Sequence, residues 1–215
     1  MDGGKAKFSQ LRTVSFLAKY NVRILTLILL AASVYFFTGA QKIRSITSAS
    51  NPDLFASGDI VKILDVIDGD ELLIGNGKGG KTVFRLLGIK SFSPTVSDPF
   101  LSEYGKICFQ YLKARAIGQT AKVVIASKQL DTEGRLLGTL FIEDSQEQYS
   151  VDLGLELVEK GYTLVYTKFA FDEMKSYLDV QDQAMQGNAG FWSDKRIKAR
   201  ALSLRALWDE EKQND

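Results

Sequence analysis

The sequence predicts an α+β fold, in which a five-stranded β-barrel of the OB type carries inserted and appended helices. Two observations support this prediction. After Gly58 the chain breaks into short runs rich in β-branched and aromatic residues, and segments with helical apolar spacing lie between and after these runs. The hydrophobic content of 45% is enough for one packed core in a chain of 215 residues. We therefore expect one globular head with an N-terminal appendage.

The five strands are predicted where short apolar runs end at turn residues. They cover residues 60–66, 71–74, 82–89, 121–127 and 136–142. The glycine-rich stretch 75–80 separates the second run from the third, and it resembles a phosphate-binding loop in composition alone. No helix start follows it, so a hairpin turn is the favoured interpretation.

Three helices are predicted within the head. The first begins at Asp98-Pro99, an N-cap followed by proline at the first helical position, and continues to Leu112. The second covers residues 151–160 and the third residues 172–187, each ending at glycine. A fourth helix, over 195–208, presents Ile197, Ala201, Leu204 and Trp208 on one face. The basic residues of this last helix face either solvent or acidic lipid headgroups, and solvent is the favoured reading.

An uncharged apolar segment precedes the head. Residues 24–40 form a run of about 25 Å as a helix, slightly shorter than a bilayer core of about 30 Å, so Arg23 and Lys42 would have to snorkel. The apolar character extends around the whole helix, which favours a membrane anchor over a buried core helix. A cleaved signal peptide is the other alternative, with Thr38-Gly39-Ala40 before the cut, but the basic region of 23 residues is long for that role.

The domain organisation follows from these segments. We expect a basic N-terminal segment at 1–23, a transmembrane helix at 24–40, a Ser/Thr-rich linker at 41–57, a head at 58–194 and a helical tail at 195–215. Positive charge before a span stays on the cytoplasmic or matrix side, which places the head across the membrane. The first residues resemble a mitochondrial presequence. Two locations remain open for the span, the mitochondrial inner membrane and a bacterial plasma membrane, and the mitochondrial one is favoured.

The composition excludes several classes of site. The chain has no histidine, which excludes His-based general bases and metal ligands, and its one cysteine, Cys108, is expected to be a buried small hydrophobe. The N-terminal 23 residues hold five basic residues and one acid. Removing these from totals of 27 basic and 26 acidic residues leaves 22 and 25, so residues 24–215 carry a charge of −3. Nonspecific nucleic-acid binding, which needs excess positive charge, is therefore disfavoured.

Four segments in fixed order carry the strongest functional signal. These are Val66-Ile-Asp-Gly-Asp-Glu71, Arg85-Leu-Leu-Gly-Ile-Lys-Ser-Phe-Ser93, Asp131-Thr-Glu-Gly-Arg135 and Gly190-Phe-Trp-Ser-Asp194. Together they resemble the staphylococcal (thermonuclease-like) nuclease family over about residues 58–194. The resemblance implies the OB-type barrel and calcium-dependent cleavage of phosphodiesters, with carboxylates on the metal and arginines on the phosphate.

The family roles transfer to this chain only in part. The resemblance implies that Asp70 matches the first metal-binding aspartate, and that Arg85 and Arg135 match the two phosphate-binding arginines. The second metal aspartate is replaced by Lys90 and the catalytic glutamate by Ser93. An inward-pointing ammonium repels a divalent cation, and a serine cannot act as a base at neutral pH. No catalytic residue is therefore assigned, and Asp70 remains as a remnant of the metal site.

Two interpretations of the retained residues stay open. In the first, Lys90 replaces the lost cation beside Asp70, and Arg85, Lys90 and Arg135 form an anion-binding site for a phosphate-bearing headgroup or a partner's carboxylate. In the second, Arg135 pairs with Asp131 or Glu133 on the barrel rim as a structural ion pair. Arg85 lies in an apolar strand and needs an acid or an anion in either case.

The function expected from these features is that of a membrane-anchored, nuclease-like barrel that has lost hydrolysis and serves as a binding or organising module. It would need no cofactor, and its partners would be membrane lipids through the anchor and another protein. The architecture also resembles the animal single-pass nuclease-like proteins of the mitochondrial inner membrane. The alternative is an active calcium-dependent nuclease that cleaves DNA or RNA outside the cytoplasm.

Overall fold

The structure is a computed structural model that describes residues 24, 26–34 and 50–214. Residues 24 and 26–34 are helical and belong to one compact unit, while residues 50–214 form another. Of the helices in these ranges, none combines the length and apolar character needed to cross a bilayer. The predicted basic segment 1–23, residue 25 and residues 35–49 of the predicted span and linker lie outside the described residues, so the predicted membrane anchor stays a prediction.

The second unit contains the predicted barrel. Its strands are β1 (Ile60–Asp68), β2 (Glu71–Gly75), β3 (Lys81–Leu86), β4 (Ile89–Lys90), β5 (Thr120–Leu130), β6 (Leu136–Glu143), β7 (Tyr149–Asp152) and β8 (Leu164–Val165). The large sheet has the order β3-β2-β1-β5-β6-β7, and a parallel pairing of β3 with β6 closes five of these strands into a barrel. The predicted fold class is confirmed for this part of the chain.

The third predicted strand is wrong in one respect. Residues 82–89 form two elements, because the chain turns at Gly88 between β3 and β4. Gly88 has a φ of +76°, and a Cβ on it would lie 2.4 Å from the Phe171 ring. Only glycine therefore fits this close approach. The turn directs Ile89 and Lys90 away from the barrel sheet and into a separate two-stranded ladder with β8.

The helices are α1 (Pro99–Ala116), α2 (Leu153–Glu159), α3 (Met174–Gln186) and α4 (Lys195–Asn214). The start of α1 is as predicted, since the Asp98 carboxylate accepts hydrogen bonds from the backbone of Phe100 and Leu101. The predicted start of the second helix at residue 151 is wrong. Residues 149–152 pair with β6 instead, and Asp152 caps α2 by accepting from Gly154 N at 2.9 Å.

Two apolar clusters stabilise the unit. The larger one fills the barrel and includes Cys108, which is fully buried in α1 as expected. The smaller one lies between the N-terminal part of α1 and the C-terminal helices, and it is built around Phe191 and Trp192. Ile197, Ala201 and Trp208 of α4 are buried in this second cluster, which confirms the predicted apolar face of the tail helix.

Candidate functional site

The site begins with a tight turn at the end of the barrel. Residues 68–70 join β1 to β2, and the Asp68 carboxylate accepts a hydrogen bond from Gly69 N at 2.7 Å. This turn places Asp70 inside the protein, where its exposure is 0%. A carboxylate in that position requires partners, because an unpaired buried charge is costly.

Asp70 has three partners, one in β3, one in β4 and one in the residue that follows β4. Arg85 Nη2 lies 3.1 Å from Asp70 Oδ2, and Lys90 Nζ lies 3.6 Å from the same oxygen. The Ser91 hydroxyl donates to Oδ1 at 3.3 Å. Lys90 therefore lies beside Asp70 as a cation, in agreement with the interpretation in which it replaces the lost metal ion. Its side chain is still 42% exposed, so this ion pair is open to solvent on one side.

The second part of the site is a network around Glu71. The Glu71 carboxylate pairs with Arg85 at 3.4 Å and also pairs closely with Arg135. Arg135 further donates to Asp131 Oδ2 at 2.6 Å and lies 3.2 Å from Glu133 Oε2. A single carboxylate thus bridges the two arginines that the family resemblance assigns to phosphate. Both guanidinium groups are held by acids of the same chain.

The pKa values of these acids reflect burial and charge together. Burial raises the pKa of Glu71, and Arg135 opposes this effect only in part. Burial also raises the pKa of Asp68, to which the charge of Asp70 adds. Burial acts in the same direction on Asp131, but hydrogen bonds from the backbone and side chain of Arg135 outweigh it and lower the pKa of that carboxyl. The charged form is therefore disfavoured for Glu71 and Asp68 and favoured for Asp131.

Ser93 follows the same segment but makes different contacts. Its hydroxyl lies 3.0 Å from the Thr95 hydroxyl and accepts from Thr95 N at 3.3 Å. These contacts form a local turn before α1. A serine bonded only to another hydroxyl and an amide has no neighbouring base that would activate it.

Gly69 controls how closely the Asp70 turn approaches the strand segment at Ser91. A Cβ at Gly69 would lie 2.7 Å from Ser91 Cβ and 2.9 Å from Cys108 Sγ. We expect Gly69→Ala to lower the free energy of unfolding by about 1–3 kcal/mol, the usual cost of overpacking. Gly77→Ala is the matched control, since nothing lies within 4 Å of its Cβ position.

Chemical denaturation of both variants measures this difference. An equal cost for Gly69→Ala and Gly77→Ala would contradict the close contact at Ser91.

The side chains around Asp70 do not suit calcium bound in the way that the family resemblance implies. Calcium takes six to eight oxygen ligands, and here an ammonium lies at the position of the second aspartate. Among the described residues, no group of three or more acidic or cysteine side chains is arranged to hold a metal ion. Asp70 is instead neutralised by Arg85 and Lys90. What the arrangement offers chemically is a compact set of paired charges at one end of the barrel.

The sequence motifs identify most members of this site. Asp70, Arg85, Lys90 and Arg135 come together, whereas Ser93 bonds to Thr95 instead. Sequence reasoning assigned no role to Glu71 as the bridge between the arginines. The signal for it was available in the hairpin register, since Glu71 on β2 lies directly opposite Arg85 on β3. The rim pairing of Arg135 with Asp131 and Glu133 is present.

Comparison with known proteins agrees with this geometry. No curated protein matches the chain at a significant level. The family described as staphylococcal nuclease homologue matches residues 83–194, which begin in β3 and end just before α4. This range contains Arg85, Arg135, β5 and β6, and it begins after β1, β2 and Asp70. Since the matched residues make up more than half of the 215, the chain belongs to the staphylococcal nuclease homologue family.

Proposed function

We propose that this protein is a nuclease-family barrel that does not hydrolyse phosphodiesters and acts as a binding or organising module. The observation that carries the proposal is the position of Lys90, whose ammonium lies 3.6 Å from Asp70 Oδ2. A charge that neutralises Asp70 also competes with any divalent cation at the same carboxylate. Two unit charges about 4 Å apart interact by roughly 4 kcal/mol at an effective dielectric of about 20.

The replacement of the family's catalytic glutamate by a serine supports the same proposal. Ser93 stands at the position of the catalytic glutamate, and its hydroxyl is bonded to Thr95. Activation of water requires a group whose pKa is close to the working pH, which a serine hydroxyl does not have. Histidine is absent from the whole sequence, so no imidazole replaces the glutamate.

We further propose that the head is held at a membrane by the apolar residues 24–40 and lies on the side opposite to the basic N-terminus. The mitochondrial inner membrane is the favoured location, with a role in membrane organisation through a protein partner. The support is the uncharged apolar run, with five basic residues before it. A fluorescent fusion combined with protease protection tests both the compartment and the side. Complete digestion of the head in intact mitochondria would contradict the proposed topology.

The ligand of the module would be an anion that competes with Glu71. Arg85 and Arg135 already share this carboxylate, so a phosphate-bearing headgroup or a partner's carboxylate would bind by displacing it. Binding of this kind would be weak in the unaltered chain. It would also need no calcium, because Lys90 supplies a third positive charge at the same end of the barrel.

Glu71→Gln is expected to strengthen binding of inorganic phosphate about tenfold. The change removes the carboxylate that occupies both guanidinium groups, and a hydrogen bond to a charged group contributes about 1.5–3 kcal/mol. Calorimetric titration of the full chain with phosphate measures the effect. Glu133→Gln is the matched control, because Glu133 contacts Arg135 alone and its side chain is 68% exposed.

Loss of binding in the variants Glu71→Gln/Arg85→Ala and Glu71→Gln/Arg135→Ala would assign the phosphate to this site. An unchanged affinity in Glu71→Gln would contradict the proposal that this carboxylate occupies the anion position.

An active calcium-dependent nuclease is the second candidate function. It is favoured by the retention of Asp70, Arg85 and Arg135 within one contact network. Digestion of single-stranded and double-stranded DNA and of RNA by the full chain, with calcium or with EDTA, separates the two functions. Cleavage that depends on calcium and is lost in Asp70→Ala would establish the nuclease.

Nonhydrolytic binding of nucleic acid is a third outcome of the same experiment. It is disfavoured by the net charge of the head, and it would appear as retention that falls steeply with salt.

A further inference from the structure

The residues that lead into the barrel run along one end of the β2–β3 hairpin. We call residues 50–55 the strap. Asn51 N donates to Lys81 O at 2.8 Å, and the hydroxyl oxygens of Ser50 and Thr82 are 2.9 Å apart. Both contacts are with the first two residues of β3, so the strap starts beside the turn that joins β2 to β3.

The rest of the strap is held at the same end of the hairpin. Asn76, in the turn, donates its side-chain amide to Leu54 O at 2.9 Å. Phe55 is buried in the barrel core, with only 7% of its surface exposed. Hydrogen bonds hold the strap at its start, and burial of an aromatic ring holds it at its end. Its position on the barrel is therefore fixed.

The strap end of the hairpin exposes both apolar and basic side chains. We call this the strap surface, and it consists of Leu54, Ile60, Lys62, Lys78 and Lys81. Leu54 and Ile60 are 55% and 48% exposed. Lys62 and Lys81 pair with Gly75 from its two sides, so both side chains leave the same face of the sheet. Exposed apolar side chains beside lysines are typical of surfaces that contact lipid headgroups.

The lysines of the strap surface have no acidic partner in the part of the chain that the structure describes. None of the three forms an ion pair there. Asp53 and Asp59 are the acids nearest to Leu54 and Ile60 in sequence, and the Asp59 carboxylate accepts from Ala56 N at 2.8 Å. Three lysines against these two acids leave an excess of positive charge.

The length of the chain before the strap limits the distance between this surface and the apolar run. Nine residues, 41–49, separate Ala40 from Ser50. Even a fully extended chain covers at most about 35 Å between these two positions. The nine residues include Lys42 and Arg44 and no acid, so the positive charge continues in sequence from the apolar run towards the strap surface.

We propose that the strap surface contacts the acidic lipid headgroups of the bilayer that holds residues 24–40. This inference rests on the membrane anchor of the proposed function. Leu54 and Ile60 enter the headgroup region, and the three lysines pair with lipid phosphates. The strap ties this end of the hairpin to the chain that arrives from the anchor. That short connection selects a lipid surface as the occupant in preference to a protein partner.

The same contact turns the charged network of the barrel away from the bilayer. Glu71 and Gly75 are the two ends of β2, and they lie four residues and about 13 Å apart along the strand. Arg85 pairs with Glu71 and Lys81 pairs with Gly75, so the network and the strap surface lie at opposite ends of the hairpin. The carboxylate of a protein partner therefore reaches Arg85 and Arg135 more readily than a headgroup of the same bilayer does.

Quenching of a site-specific fluorophore by labelled lipid tests the contact. The full chain is reconstituted into vesicles of phosphatidylcholine and phosphatidylglycerol that contain a quencher on the lipid headgroup. The fluorophore is attached either at Gly77→Cys in the hairpin turn, where nothing lies within 4 Å of the Cβ position, or at the exposed Thr132→Cys beside the charged network. Burial raises the pKa of the Cys108 thiol and limits its labelling. We expect at least threefold more quenching at position 77 than at position 132.

Removal of the lysines tests the electrostatic part of the contact. Replacing all three lysines of the strap surface by glutamine in the Gly77→Cys chain is expected to lower the quenching at least threefold. Vesicles of phosphatidylcholine alone should have the same effect on the unaltered surface. The matched control removes the same charge from exposed positions of α1 and α4 and should leave the quenching unchanged; its substitutions are Lys106→Gln, Lys195→Gln and Lys212→Gln.

Retention of the chain on the vesicles after an alkaline carbonate wash is measured on the same samples. A chain that is retained but quenched equally at positions 77 and 132 would overturn this inference and leave the anchor standing. Quenching at position 77 that survives replacement of the lysines would overturn it as well. A chain that the wash removes would contradict the anchor, and the lipid contact would fall with it.

Discussion

Replacing Lys90 by aspartate and Ser93 by glutamate is expected to raise the affinity of the chain for calcium at least about a hundredfold, equivalent to about 2.7 kcal/mol. The first change removes an ammonium 3.6 Å from Asp70 Oδ2 and supplies an oxygen ligand in its place. Repulsion of a divalent cation by a unit charge about 4 Å away is on the order of 8 kcal/mol at an effective dielectric of about 20, which partial exposure of Lys90 reduces.

Calorimetric titration of the full chain with calcium measures this change. Lys90→Met is the matched control, because it removes the positive charge without adding a ligand, and it should recover only part of the affinity. Calcium-dependent cleavage of DNA by the double variant is the second readout. If the native chain binds calcium as tightly as the double variant, the ion pair between Lys90 and Asp70 is not what disfavours the metal.

Replacing Arg85 by methionine is expected to lower the free energy of unfolding by about 3 kcal/mol. The change leaves the buried Asp70 with only Lys90 and Ser91 as partners, and removal of one member of a buried ion pair costs about 3–5 kcal/mol. Methionine preserves much of the apolar contact of the arginine stem, so the loss reports mainly on charge. Urea denaturation measures the effect.

Two further variants make this result specific. Asp70→Asn combined with Arg85→Met should recover most of the loss, because no charge then remains buried without a partner. Arg115→Met is the matched control. Arg115 pairs with Glu156 at 3.0 Å and is 32% exposed, and Tyr111 still donates a hydrogen bond to Glu156 after the change, so the loss of Arg115 should cost only about 1 kcal/mol. Equal costs at positions 85 and 115 would show that Asp70 is not destabilised by the loss of Arg85.

The barrel was predictable because its strands are short apolar runs that end at turn residues. The boundaries that failed have physical reasons. Residues 82–89 read as one continuous apolar strand, and only the packing of the Phe171 ring against Gly88 shows why the chain must turn there. Residues 149–152 are few and adjoin a helix, so a local pattern cannot separate them from that helix. Their pairing with β6 is a tertiary effect.

The sequence predicted which residues form the site, but it did not predict all the contacts between their side chains. The resemblance to the nuclease family identified Asp70, Arg85, Lys90 and Arg135, and the structure brings all four into one network with Glu71. Which acid each guanidinium selects depends on distances between side chains from different strands. Several carboxylates lie near the same two arginines in sequence, so their competition could not be resolved from spacing alone.

The two-residue ladder between β4 and β8 has a consequence for substitution at position 90. Ile89 pairs with Val165 and Lys90 with Leu164, so the backbone at position 90 is fixed by neighbours that take no part in any ion pair. Residues alternate between the two sides of a strand, and a slip by one residue would bury the ammonium and expose Ile89. A carboxylate and an ammonium at position 90 would therefore start from the same backbone position, and exchanging one for the other would leave the surrounding ladder as it is.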